Sequence, residues 1–247
     1  MANEQEKIDG SDVKIKLSSP FLEKLENFWF YHKWKVIIGA FFLIVIGVGV
    51  FQMATKEKYD TQITVATHTI YYEEHLVSFE KALTSFMPGD VNGDGKKNLA
   101  VFRYKIFSED ELKAANEVDT DQNGNPIIYA DPDFNREQIT DLNSSIASGQ
   151  CTVMFLSKSQ YDAMVDKRDE DVLLLPMSEL FGGEMPNGVA DNGYGILLRE
   201  IDAYKLEGFN WLPSDTVICI LHKFPTVSQE RYDADKALFV NIVEFGK

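Results

Sequence analysis

Cysteine is scarce: the 247 residues hold two, Cys151 and Cys219. That excludes a disulfide-stapled scaffold and a zinc site of repeated Cys/His spacing. Each lies in an apolar run, CTVMFLS and TVICILHKF, and reads as a buried strand residue, a common setting for a free cysteine; a disulfide between them stays open. Positive charge is also in deficit, 24 Lys+Arg against 39 Asp+Glu, for a formal net charge of -15. Residues 1–35 hold six lysines and six carboxylates, and nothing between Val36 and Thr55 is charged, so the rest of the chain carries the whole -15. A domain that acidic repels phosphate backbones, which excludes nucleic acid as its partner and favours cations and cationic partners. Catalytic motifs are missing too. There is no Gly-x-Ser-x-Gly, no His-Glu-x-x-His and no Rossmann glycine set, and the reading is not an enzyme.

What the chain does have is one long apolar run. Val36 to Ala54 reads VIIGAFFLIVIGVGVFQMA, with Gln52 its one polar side chain. At about 1.5 Å per residue it just spans a hydrocarbon core of about 30 Å. It is apolar on every face, unlike a helix docked on a core. Phe28, Trp29, Phe30, Tyr31 and Trp34 gather at its start, where an interfacial aromatic belt lies. Some 35 residues precede the run and no Ala-x-Ala site follows it, so an anchor is expected rather than a cleaved signal peptide. Lys24, His32, Lys33 and Lys35 before it, against Lys56 and Lys58 after it, bias the N-terminus to the cytoplasm. The expected layout is a cytoplasmic segment (1–35), a transmembrane helix (36–55) and an extracytoplasmic domain (56–247) at the cell membrane.

The outer region predicts strands over Ile63–His68, Leu99–Phe107, Thr152–Leu156, Val172–Leu175, Gly193–Ala203 and Thr216–Phe224. Helices are predicted over Tyr72–Met87, where Leu76, Phe79, Leu83 and Phe86 recur at three- and four-residue spacing, and over Arg136–Ser148, Ser159–Val165 and Gln229–Phe245. Ser108 to Asp133 reads as a polar stretch. Strands alternating with helices, with no repeat or Pro/Gly-rich linker, imply one α/β domain of three layers with a largely parallel sheet.

The sharpest motif is Asp90-Val91-Asn92-Gly93-Asp94-Gly95. Oxygen side chains fall at the first, third and fifth positions, with glycine at the sixth for a sharp turn, the arrangement hard calcium favours. It resembles the calcium loop of EF-hands and dockerins. The resemblance implies that Asp90, Asn92 and Asp94 ligate by side chain, Lys96 by its carbonyl and Asn98 at the ninth position. The twelfth position is Val101 rather than an acid, and a strand pattern follows where an EF-hand has a helix. The alternative is a polar turn, since Asn-Gly and Asp-Gly favour turns without a metal. A weaker copy is Asp119-Thr120-Asp121-Gln122-Asn123-Gly124, followed by Pro126; it reads equally as a solvated acidic loop. Glu73, Glu74 and His75 form a charged cluster on a helix's polar edge. Tyr194, Phe209 and Trp211 either line a ligand surface or plug the end of the sheet.

ITVATH with its helix, DLNSSIASGQCTVMFLSKSQYDAM and VLLLPMSELF look like the first lobe of bacterial extracellular solute-binding proteins. Such proteins close two lobes on a solute, and this chain has length for little more than one. The whole chain resembles single-pass membrane proteins of Clostridia-type bacteria, a likeness that implies no activity. The expected function is a membrane-anchored, extracytoplasmic calcium-binding or interaction module whose partner is a protein or small solute outside the cell. The alternatives are a membrane-tethered extracellular enzyme and a solute-capturing accessory of a transporter.

Overall fold

The structure is a computed structural model describing residues 20–55, 59–69, 71–117, 130–166, 172–183 and 185–246. The chain divides into two compact units, Met1–Glu57 and Lys58–Lys247. The first holds α1 (Pro20–Thr55), 36 residues and so about 54 Å long. Pro20 opens it at a position where the missing proline N–H costs no helical bond. Its stretch Lys24–Gln52 is apolar and long enough to cross a membrane, and none of the span's side chains is buried.

The second unit is built on a five-stranded sheet of order β2-β1-β3-β5-β4. β1 (Thr61–Thr67) lies between β2 (Leu99–Lys105) and β3 (Val153–Leu156), parallel to both. β5 (Val217–Ile220) runs antiparallel to β3 and to β4 (Gly195–Leu197). Four strands therefore run one way and β5 opposes them. The sheet is mixed and mostly parallel, with ITVATH flanked as the alternation predicts.

Helices cover both faces, which is why β1 and β3 are buried almost throughout. On one face Ile63 and Val65 pack with Phe79 and Leu83 of α2 (Glu73–Phe86) and with Leu238, Phe239 and Ile242 of α7 (Gln229–Val243). On the other, Ala66, Met154 and Cys219 meet Leu142 and Ile146 of α4 (Pro132–Ala147) and Tyr161 of α5 (Lys158–Val165). The four apolar residues that predict α2 are its four buried ones. It stops at Met87, which is extended (ψ 134°) because Pro88 disfavours a helical predecessor.

Three expectations are corrected. The polar stretch from Ser108 contains a helix, α3 (Glu109–Asn116), capped by Ser108 and Glu111 in a capping box; with no buried residue it has no apolar stripe to reveal it. Val172–Leu175 makes only a bridge from Leu174 to Leu221, followed by the single turn α6 (Met177–Leu180). Gly193–Ala203 shortens to β4, then turns twice as 3₁₀ helix. Gly195 is required there, since a Cβ would stand 2.6 Å from Val217 and 2.8 Å from the Tyr161 ring. Cys151 and Cys219 are both buried and free, so no disulfide joins them. Burial pushes both thiols up, away from the reactive thiolate.

Candidate functional site

The acidic loop joins α2 to β2. Parallel pairing sets Thr61 level with Leu99, which brings Asp60, just before β1, level with Asn98. Asp60 is 1% exposed. Its Oδ1 accepts the N–H groups of Val91 (2.8 Å) and Asn92 (2.9 Å), and its Oδ2 accepts that of Asn98 (2.8 Å). Its own N–H donates to the Asn98 carbonyl at 2.8 Å. A buried carboxylate is tolerable here because three backbone donors replace its water.

The loop also closes on itself. Asp90 Oδ1 accepts from Gly93 N–H and Oδ2 from Gly95 N–H, both at 2.7 Å. Asn92 Oδ1 accepts from Asp94 N–H and Asp94 Oδ1 from Lys96 N–H, both at 2.9 Å. These Asx turns need left-handed backbone at Gly93 (φ 74°) and Gly95 (φ 84°), cheap only for glycine. The Gly95 N–H, helped by Gly93, holds the Asp90 carboxyl below its usual range.

Asp90, Asn92 and Asp94 thus share one exposed turn, each with a side-chain oxygen accepting a backbone N–H of that turn. Asn98, expected at the ninth position, is committed through its N–H and carbonyl to Asp60. Val101, at the twelfth, lies inside β2 opposite Ile63. The turn therefore has two carboxylates, and among the described residues no group of three His, Cys, Asp or Glu is placed to hold a metal. Asp119, Asp121 and Asn123 of the second motif lie outside the described residues.

A second cluster stands at the carboxyl ends of β1, β2 and β3. His68 Nδ1 is 3.2 Å from Glu111 Oε1, with both side chains about one-third exposed. Glu111 Oε2 accepts the Ser108 N–H at 2.7 Å, and the Ser159 hydroxyl is 3.4 Å from both carboxylate oxygens. Ser159 in turn meets the buried Ser157 hydroxyl at 3.1 Å. Among the described residues no hydrogen bond reaches His68 Nε2. Glu111 and Asp60 were not legible as site residues. The signal for Glu111 is the Ser108-x-x-Glu111 capping box; for Asp60, 31 residues from Val91 in sequence, there is none.

The aromatics divide. Phe209 is fully buried and plugs the core against Phe79 (5.2 Å between centroids). Trp211 is half-buried, stacked on His75 at 5.9 Å and edge-on to Tyr71 at 6.0 Å. Tyr194 is not among these rings; it packs at the margin of the opposite core. Set against protein-family models, curated proteins and solved structures, the chain matches none.

Proposed function

We propose that this is a single-pass membrane protein whose Lys58–Lys247 unit is an extracytoplasmic interaction domain steadied by calcium at Asp90–Asn98, and not an enzyme. The supporting observation is the loop itself: oxygen donors alternate along a turn already closed by its own amides and fastened to the buried Asp60. Each ligating oxygen engaged with an N–H keeps a second lone pair for a cation. Two carboxylates without a bidentate acid point to weak binding, about 10⁻⁴–10⁻³ M, as in extracellular modules.

Calcium that binds the folded state alone stabilises it by about 1.4 kcal/mol at ten times Kd, or about 3–5 °C in Tm. The full chain in detergent is therefore expected to melt higher in millimolar calcium than in chelator, with magnesium doing much less. Asp94→Ala is expected to remove most of that shift and to leave the melt in chelator nearly unchanged. Identical wild-type curves with and without calcium would reduce the loop to a polar turn.

The topology rests on α1 and the basic residues ahead of its uncharged stretch. Protease added to intact spheroplasts is expected to digest residues 60–247 and to spare an N-terminal epitope. Loss of the epitope with survival of the domain would reverse the orientation.

A second reading, a solute-capturing accessory of a transporter, is favoured by the His68–Glu111–Ser159 cluster. Open α/β sheets bind ligands beyond the carboxyl ends of their strands, which is where this cluster lies. The likeness of the domain to one lobe of solute-binding proteins belongs to the same reading.

A further inference from the structure

Among the described residues β2 ends the sheet, with β1 as its one strand neighbour. Its hydrogen-bonding directions follow from two contacts at its carboxyl end. The Ile106 N–H donates inward to the Thr67 carbonyl at 3.2 Å. Phe107 faces outward: its N–H donates to Asn135 Oδ1 at 2.9 Å, and its carbonyl accepts from Asn135 Nδ2 at 3.0 Å. The Asn135 amide thus takes the place of a missing strand at Phe107. By the alternation of a strand, Val101, Arg103 and Lys105 also turn their N–H and C=O groups outward. Among the described residues no hydrogen bond reaches those groups, so this edge carries strand-pairing capacity that nothing there uses.

The side chains at that edge are cationic. Arg103 and Lys105, two apart on a strand, share a face of the sheet. The Arg103 guanidinium lies 5.2 Å from the Tyr71 ring centroid, and the Lys105 ammonium 5.2 Å from that of Phe107. Neither forms an ion pair among the described residues, although the protein's formal net charge is -15.

We propose that the outer edge of β2 docks an extended acidic segment of another protein, which adds to the sheet as a further strand and sets its carboxylates against Arg103 and Lys105. Strand addition takes affinity from main-chain bonds and specificity from alternate side chains. The same two cations discourage a second copy of this chain, because antiparallel pairing of β2 with β2 sets like charges against each other. Attraction to an acidic strand and repulsion of a basic or self-paired one therefore come from one pair of residues.

The test uses the full chain in nanodiscs of neutral lipid and a short synthetic peptide of alternating valine and glutamate. The peptide is expected to bind, more weakly as salt rises, and to slow hydrogen exchange at the Val101, Arg103 and Lys105 amides, which exchange fast in the free protein. Replacing its glutamates with lysine, or N-methylating its backbone, is expected to abolish binding. The double variant Arg103→Glu, Lys105→Glu is expected to weaken binding about tenfold or more, and Arg103→Gln, Lys105→Gln to fall between it and the wild type. Absence of binding overturns the proposal. So does undiminished binding of the N-methylated peptide, protection of the three amides before peptide is added, or binding of anionic lipid vesicles with the same dependence on Arg103 and Lys105.

Discussion

Phe79→Ala is expected to destabilise the Lys58–Lys247 unit by about 3–5 kcal/mol, the range for deleting a buried phenyl ring from a close-packed core. Phe79 has no exposed surface and sits where three elements meet. Its ring is edge-on to Phe155 of β3 at 5.3 Å, to Phe209 at 5.2 Å and to Trp211 at 5.8 Å. Edge-to-face pairs add to the area each ring buries. The backbone at Gly208 also comes so close to α2 that a Cβ there would stand 2.6 Å from the Ser78 carbonyl oxygen, which leaves little freedom to collapse into the hole. Urea denaturation of the full chain in detergent, with Trp29 and Trp34 replaced by phenylalanine so that fluorescence reports Trp211 alone, reads the loss. Val77→Ala, two residues away and 60% exposed, serves as the control and is expected to move the midpoint little. A loss under about 1 kcal/mol at Phe79 would show that this aromatic cluster does not carry the core.

Asp235→Asn is expected to flatten a pH dependence. Asp235 lies on α7 with no exposed surface, where the Thr61 hydroxyl donates to Oδ1 and the Arg231 Nε stands 4.0 Å from Oδ2. Burial pushes its carboxyl up to about 6, against the opposing pull of Thr61, Thr152 and Arg231. A carboxyl near ~3.9 in the unfolded chain and about 6 in the folded one holds more protons in the folded state between those values. Its stabilising contribution is therefore complete below about pH 4 and lost as pH rises through about 6, a change of about 3 kcal/mol. The asparagine variant has no such titration. Its stability minus that of the wild type is expected to rise by about 2.4 kcal/mol from pH 4 to pH 7.5, by urea denaturation at each pH. A difference independent of pH would mean that the Asp235 carboxyl titrates in the folded protein as it does in the unfolded chain.

The elements that could be read along the chain are those whose determinants are local. The apolar stripe of α2 and the proline after it, the aliphatic runs of β1 and β3, and the unbroken apolar stretch of α1 each announce themselves within a few residues. α3 is a surface helix held by its cap rather than by packing, so the periodicity that marks other helices is missing from its sequence. β4 and the bridge at Leu174 are shorter than their apolar runs, because an apolar run does not say where its partner strand ends.

For the candidate site the division is sharper. Sequence alone determined that Asp90, Asn92 and Asp94 alternate around a turn with glycines at Gly93 and Gly95, because side-chain spacing and left-handed backbone are properties of consecutive residues. Tertiary structure alone decided that Asp60 fastens this turn, that Glu111 meets His68, that Asp235 is buried under β1, and that β2 is an edge with Arg103 and Lys105 on it. Each of these joins residues distant in sequence, and each depends on the order and register of strands, a choice made by the whole core at once.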